Sequence, residues 1–183
     1  MTKLPIILGE GEFVKLDLGC GKRKQGGFIG VDISKDVGAD VVFDLSKKKW
    51  PFKDGEVEEV YCSHFLEHLT GAQRINFMNE LYRITKVGAK AMIITPYHAS
   101  MRAVQDPTHQ WPPVCEHSYL YFNKGWREAN GLEHYGINCD FDFTYGYAVD
   151  PDISNRNQEH QLFAFKHYIN AISDLQVTLI RRE

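Results

Sequence analysis

Leu16-Asp17-Leu18-Gly19-Cys20-Gly21 is the stretch that decides how this 183-residue chain folds. A short apolar run, Phe13 to Leu18, feeds directly into Gly-x-Gly. Glycines at such a junction let the backbone turn sharply and approach a ligand with no Cβ in the way. The next apolar burst, Phe28 to Val31, ends in Asp32, where a carboxylate can accept both hydroxyls of a ribose. Two more runs, Ala39 to Phe43 and Val57 to Cys62, end in Asp44 and in Ser63-His64. Short β-branched runs that each finish in polar residues predict parallel strands buried on both faces, with working residues at their C-terminal ends.

Further along, Thr70 and Gln73 have the spacing of a capping box, and Ile75, Met78, Leu81 and Tyr82 form one apolar stripe, which predicts a helix over 71–86 stopped by Gly88. A fifth strand, Ala91 to Thr95, ends at Pro96, making a strand–helix–strand crossover of right-handed sense. Regular alternation then lapses over residues 97–138. Within that stretch Tyr119, Phe122, Trp126 and Ala129 predict one helix over 118–130. Phe141 to Val149 reads as a strand, residues 159–169 as a helix and Leu175 to Ile180 as the last strand. The reading is one α/β domain over residues 1–183 with residues 97–138 inserted after strand five as a lid.

Composition narrows the function classes. With 43% hydrophobic and 25% charged residues the chain is an ordinary globular sequence. A net charge of -3 gives no overall field for nucleic acid or an anionic membrane. No apolar run nears the ~20 residues that span a bilayer, and the opening MTKLPIILGE lacks a signal-peptide core, so a cytoplasmic protein is expected. Cys20, Cys62, Cys115 and Cys139 are too few and too scattered for a disulfide framework or a CxxC zinc site. A nicotinamide fingerprint would need a third glycine at position 24, which is Lys24. Asp32 lies eleven residues beyond Gly21, against about 20 in dinucleotide folds, which leaves almost no room for a phosphate-binding helix.

LDLGCG resembles motif I of class I S-adenosylmethionine-dependent methyltransferases, and the resemblance runs along about half the chain. GVDIS around Asp32, FDLS around Asp44, SHFLEHL at 63–69 and KVGAKAMIITP at 86–96 are similar, in order, to segments of the methyltransferase 11 type. The shortened first crossover, GKRKQGGFIGVD, departs from the common pattern. The resemblance implies a Rossmann-like fold, a seven-stranded mostly parallel sheet with its last strand antiparallel, and S-adenosylmethionine as cofactor. Carried over, Asp17, Gly19, Cys20 and Gly21 surround the amino-acid end of that cofactor. Asp32 and Ile33 meet the ribose and adenine edge, Asp44 and Leu45 the adenine, and Ser63 and His64 close the pocket.

The acceptor side falls to 97–138, which holds His98, His109, His117 and His134 and seven aromatic residues among balanced charges. A nucleic-acid groove needs a basic excess, so a small-molecule acceptor is expected. The [ND]PP[YF] signature of amino methyltransferases is replaced by Ser63-His64-Phe65-Leu66, and the similar DPTH at 106–109 follows the wrong strand, which counts against that subgroup without excluding other N-methylation. Oxygen is the expected methylated atom, ahead of nitrogen or carbon. An oxygen nucleophile must lose a proton, a role suited to histidine, and His109 and His98 are the candidate bases, followed by His68. His64, Glu67 and His68 equally have the spacing to cap or pack one turn. Cys115, His117 and His109 lack an established ligand spacing, so no metal is expected. Lys47-Lys48-Lys49 reads as a solvated loop. A non-catalytic module that binds S-adenosylmethionine or S-adenosylhomocysteine, and an NAD-dependent oxidoreductase, are the competing readings.

Overall fold

Seven strands hydrogen-bond into one sheet in the order β3-β2-β1-β4-β5-β7-β6 in the computed structural model, which describes residues 14–183. They are β1 (Val14–Leu18), β2 (Ile29–Asp32), β3 (Val41–Val42), β4 (Val57–Ser63), β5 (Thr85–Pro96), β6 (Phe141–Val149) and β7 (Ile172–Arg181). Phe13 and the opening decapeptide lie outside the described residues. Strands β1 to β5 pair in parallel, and β7 runs antiparallel to both of its neighbours. This is the α/β sheet that the sequence leads one to expect. The strand order reverses between β1 and β4, and in α/β folds ligands bind beyond the C-terminal strand ends at such a switch point.

The strands are buried on one face, not two. Leu16, Val60, Ala91, Val177 and Leu179 are buried, whereas the alternate positions Lys15, Glu59, Tyr61, Lys90, Met92, Gln176 and Thr178 stay partly or fully exposed. On that open face Lys15 pairs with Glu59 at 2.6 Å. The cause lies in the connections. Residues 19–28 join β1 to β2 by a turn, and the β2–β3 link carries only a three-residue 3-10 turn, Lys35–Val37, so neither crossover supplies a helix to cover the sheet.

Helix α1 (Gly71–Ile84) starts on the Thr70–Gln73 capping box, with both reciprocal bonds formed. It ends two residues earlier than its sequence suggests. Thr85 donates its hydroxyl to the Leu81 carbonyl and opens β5 at once, while Gly88 (φ 77°) sits in the irregular start of that strand. The apolar face of α1 buries Phe77, Met78, Leu81 and Ile84. Tyr82 packs edge-on to Phe141, and Tyr147 on the same side of β6 meets Phe165 of a later helix (Gln158–His167), so both helices cover one face of the sheet.

The single helix expected over 118–130 is broken. Residues Glu116–Phe122 form 3-10 turns, Asn123 is extended, and a short helix spans Lys124–Ala129. Asn123 breaks the run because its side chain accepts from the Trp126 amide at 2.9 Å, a capping bond that competes with helix continuation. Ala129 is exposed there, and Arg127 is buried instead, donating to the carbonyls of Tyr121 and Cys139. No described helix is long and apolar enough to cross a membrane.

Candidate active site

The loop after β1 is shaped by Gly19 and Gly21, both at positive φ (72° and 50°). A Cβ on Gly19 would lie 2.6–2.8 Å from the Phe65 side chain, so only glycine fits beneath that ring. The amides of Gly19 and Cys20 both point at the Val31 carbonyl (2.8 and 3.2 Å), which folds the loop back over β2. Asp17 is buried and accepts from the Gln25 amide at 2.7 Å; burial pushes its carboxyl up, partly offset by that bond. Cys20 is buried with its sulfur against Gly30, and burial raises its thiol.

Asp32, at the end of β2, has one carboxylate oxygen on the Gly21 amide (3.0 Å) and the other on the Ser34 amide (2.9 Å). Each oxygen keeps a second lone pair for a ligand hydroxyl. Ile33 beside it is 68% exposed, an apolar side chain with no protein cover. Asp44 is held below the ordinary carboxylate range by the Ser46 hydroxyl, which donates at 2.6 Å. Leu45 differs from these. Its side chain is buried in the core and its carbonyl accepts from the Trp50 indole at 3.1 Å, so the side chain itself is not open to a ligand.

At the end of β4, Ser63 is half-buried, and His64 adopts a left-handed conformation (φ 55°) that is uncommon for a non-glycine residue and concentrates at functional sites. Its amide bonds the Ile94 carbonyl at 2.9 Å, and its ring lies 3.3 Å from Glu67 Oε1 and 3.9 Å from Asp174 Oδ1. Asp174, opposite Pro96 on β7, accepts from Arg102 at 2.8 Å. His64, Glu67, Asp174 and Arg102 thus make a polar rim beside the C-terminal ends of β4 and β5 and the start of β7. His64 and Glu67 stand out in the sequence as neighbours on one turn, whereas Asp174 meets His64 from 110 residues away and Arg102 meets Asp174 across 72.

The two candidate bases are placed differently. His98 is exposed and stacks beside Tyr97, with ring centroids 4.2 Å apart. His109 has an 11% exposed side chain, and its Nδ1 bonds the Ala103 carbonyl at 3.1 Å. A carbonyl only accepts, so Nδ1 carries the proton and Nε2 keeps the lone pair in the neutral ring. His68 packs edge-on against His109 with centroids 4.8 Å apart. His117 and His134 are exposed. Within residues 97–138 only the first part lies at the strand ends. Gly136 and Asn138 bond Asn79, midway along α1.

No protein-family model and no curated protein matches the chain. Solved structures do. A SAM-dependent methyltransferase from Archaeoglobus fulgidus aligns with a TM-score of 0.63 at 19% identity, over 93% of this chain and 87% of its own. A geranyl diphosphate C-methyltransferase from Streptomyces coelicolor A3(2), solved with Mg2+, geranyl diphosphate and S-adenosyl-L-homocysteine, aligns at 0.54 and 14% over 93% and 74%. Phosphoethanolamine N-methyltransferase 2 from Haemonchus contortus, solved with S-adenosyl-L-methionine, aligns at 0.52 and 12%, and this chain spans 49% of its length. One acts on carbon and one on nitrogen by name, so the shared architecture does not select the acceptor. By its sheet order and these likenesses, the chain has the fold of the class I S-adenosylmethionine-dependent methyltransferases.

Proposed function

We propose that the protein is an S-adenosylmethionine-dependent methyltransferase of the methyltransferase 11 type, acting on a small-molecule acceptor with oxygen as the methylated atom. The observation that carries this reading is the cradle at Gly19–Gly21. It has a glycine that no other residue can replace beneath Phe65, and the Asp32 carboxylate is fixed by two backbone amides with a lone pair to spare on each oxygen. Asp32 would hold the ribose hydroxyls, exposed Ile33 would lie on the adenine, and Asp44 would take its exocyclic amine. Asp17 and Asp32 add negative charge around a ligand that carries a positive sulfur. The nicotinamide alternative lacks its phosphate-binding helix, since residues 19–28 form only a turn. Four unpaired cysteines fit a reducing, cytoplasmic setting.

When bound, the cofactor supplies a methyl group on a charged sulfur that leaves readily in an in-line displacement. The chain has to hold the acceptor in line, exclude water and accept a proton. The free Nε2 of His109 is the atom assigned to that proton, with His98 second.

Calorimetry with S-adenosylmethionine and with NAD tests the reading. Binding of the former alone is expected, and tighter binding of NAD would sink it. Asp32→Ala is expected to weaken S-adenosylmethionine binding at least tenfold, about 1.5 kcal/mol, the scale of a charge-assisted hydrogen bond. Unchanged affinity would remove Asp32 from the ribose. His109→Ala is expected to lower turnover with cofactor affinity unchanged, and wild-type rates would end its role. A binding module would instead hold the cofactor and methylate nothing across a broad acceptor screen.

A further inference from the structure

The turn that follows β4 and the loop that follows β5 bring together three side chains with the donor set of a metal centre. One ligand-capable atom each from Glu67, His68 and His109 lies within 4.8 Å of the other two. The sequence separates them by 41 residues, and nothing in their spacing announces them.

Two independent features mark this as more than a chance meeting of polar groups. Glu67 has a side chain only 6% exposed, and while Oε1 leans on His64, Oε2 has no hydrogen-bond partner among the described residues. A buried carboxylate oxygen left without a donor is costly unless a cation or proton satisfies it. The second feature is the state of the two rings. The Thr108 hydroxyl gives its one hydrogen to Asp106 (2.7 Å), so toward His68 Nδ1 (2.9 Å) it can only accept. The Ala103 carbonyl likewise accepts from His109 Nδ1. Both neutral imidazoles are therefore held as the Nδ1–H tautomer with the lone pair on Nε2. Orientation of a metal-binding histidine through its other nitrogen is the arrangement found around bound metals.

The two segments are also locked to one another. Arg74 in the first turn of α1 donates to the carbonyls of Leu66, Glu67, Gln110 and Pro112, and the Gln110 amide donates to Glu67. Burial lowers the Arg74 guanidinium somewhat, as expected for a charge sunk between two loops. The frame is preorganised, and the donors have to close from within 4.8 Å to the ~3.4 Å edge of a site with bonds near 2.1 Å.

We propose that Glu67, His68 and His109 form a site for one divalent transition cation, of the zinc, cobalt or manganese class, with at least one coordination position open. Two imidazoles and one carboxylate suit such ions and disfavour magnesium or calcium, which take all-oxygen shells. Three protein ligands leave room for an exogenous oxygen. The existence of the site stands apart from the methyltransferase reading, while its use rests on it. An acceptor hydroxyl bound at the open position would lose its proton to solvent more easily and present an alkoxide. His109 would then serve as a ligand rather than as the base, and solvent would take the acceptor's proton.

The test uses the full chain stripped with a chelator and titrated with Co2+, Zn2+, Mn2+ and Mg2+ by calorimetry, with the visible spectrum of the Co2+ form recorded. One equivalent of Co2+ or Zn2+ is expected to bind, with Mg2+ far weaker. His68→Ala, which alters an exposed ring, and Glu67→Gln, which keeps the buried shape, are each expected to weaken Co2+ binding at least about tenfold. Sub-stoichiometric binding by the wild type, or binding unchanged in His68→Ala, would overturn the proposal and leave the cluster as a hydrogen-bonded turn. S-adenosylmethionine titrated into the same samples separates the two claims. Cation binding without cofactor binding would retain the metal site and sink the methyltransferase, and the reverse would do the opposite.

Discussion

Replacing Gly19 by alanine is expected to destabilise the protein by about 3 kcal/mol, combining roughly 1–2 kcal/mol for a left-handed non-glycine residue with 1–3 for overpacking. The added Cβ would meet Phe65 Cδ2, Cγ and Cβ at 2.6, 2.7 and 2.8 Å. Because Cβ is itself among the atoms struck, turning the ring about χ1 gives no relief. The Phe65 backbone would have to move, and Phe65 leads directly into the 3-10 turn Leu66–His68. Its ring is also braced on Phe77 of α1, with centroids 5.9 Å apart. A shift of the melting temperature by roughly 6–12 °C follows for a domain of this size. Under the proposed function, cofactor affinity falls with it, since the same turn forms the floor of the pocket. Gly21→Ala is the internal control. Nothing lies within 4 Å of its added Cβ, so only the backbone penalty remains, about 1 kcal/mol. Equal losses in the two variants, read by denaturant unfolding, would show that Phe65 does not press on the turn. Gly19→Ala combined with Phe65→Ala should remove the steric part of the loss and leave the conformational part.

That asymmetry between two glycines was invisible in LDLGCG, although the turn itself was legible. The sequence marks strand ends well where a polar residue interrupts an apolar run: Asp32 and Ser63 close β2 and β4, and Asp44 lies two residues past β3. It marks the start of α1 well because a capping box is a local device, complete within Thr70 to Gln73. It misled on burial. Lys15, Glu59, Lys90, Gln176 and Thr178 recur at alternate positions in their strands, the period of a sheet covered on one side. The doubly buried expectation concerns the first four strands alone, and there Lys15 in β1 and Glu59 in β4 already interrupt it. The break at Asn123 was legible too, as a capping residue three before Trp126, but the aromatic spacing across it outweighed that signal.

The rim and the candidate metal donors were beyond local reading for a different reason. Glu67 and His68 reach His109 because Arg74, the Gln110 amide and Thr108 tie residues 66–68 to residues 108–112, and no period in the sequence encodes a long loop folding back onto an earlier turn. The signal available in advance was weak, an arginine in the first turn of a helix where its charge opposes the dipole. Such a misplaced cation is a sign that something nearby needs its donors.

Glu80→Ala is expected to cost about 3–5 kcal/mol, the range for breaking a buried ion pair from one side. Glu80 is 6% exposed in the middle of α1, and its carboxylate accepts from the Trp50 amide (2.6 Å) and from Arg83 Nη2 and Nε (2.6 and 2.8 Å). Arg83 donates onward to the carbonyls of Phe52 and Trp50 and to Asp54, so one helix surface anchors the whole segment that enters β4. Trp50 in turn packs on Phe77 and bonds the Leu45 carbonyl, which carries the effect to the wall assigned to adenine. Burial pushes the Glu80 carboxyl up, but the bonds from Arg83 and Trp50 prevail and hold it below its ordinary range. A folded-state value below the unfolded one contributes stability that is fully present above the unfolded value and lost as pH falls through the folded one. The stability gap between wild type and Glu80→Gln should therefore be widest near neutral pH and shrink on acidification below the ordinary glutamate value of 4.5. Denaturant unfolding of the two proteins at neutral and acidic pH measures that gap, because titrating groups remote from the Glu80–Arg83 pair cancel in the difference. A gap that stays constant would mean that Glu80 holds Trp50 and Arg83 as a neutral acceptor, and that its charge adds nothing to the fold.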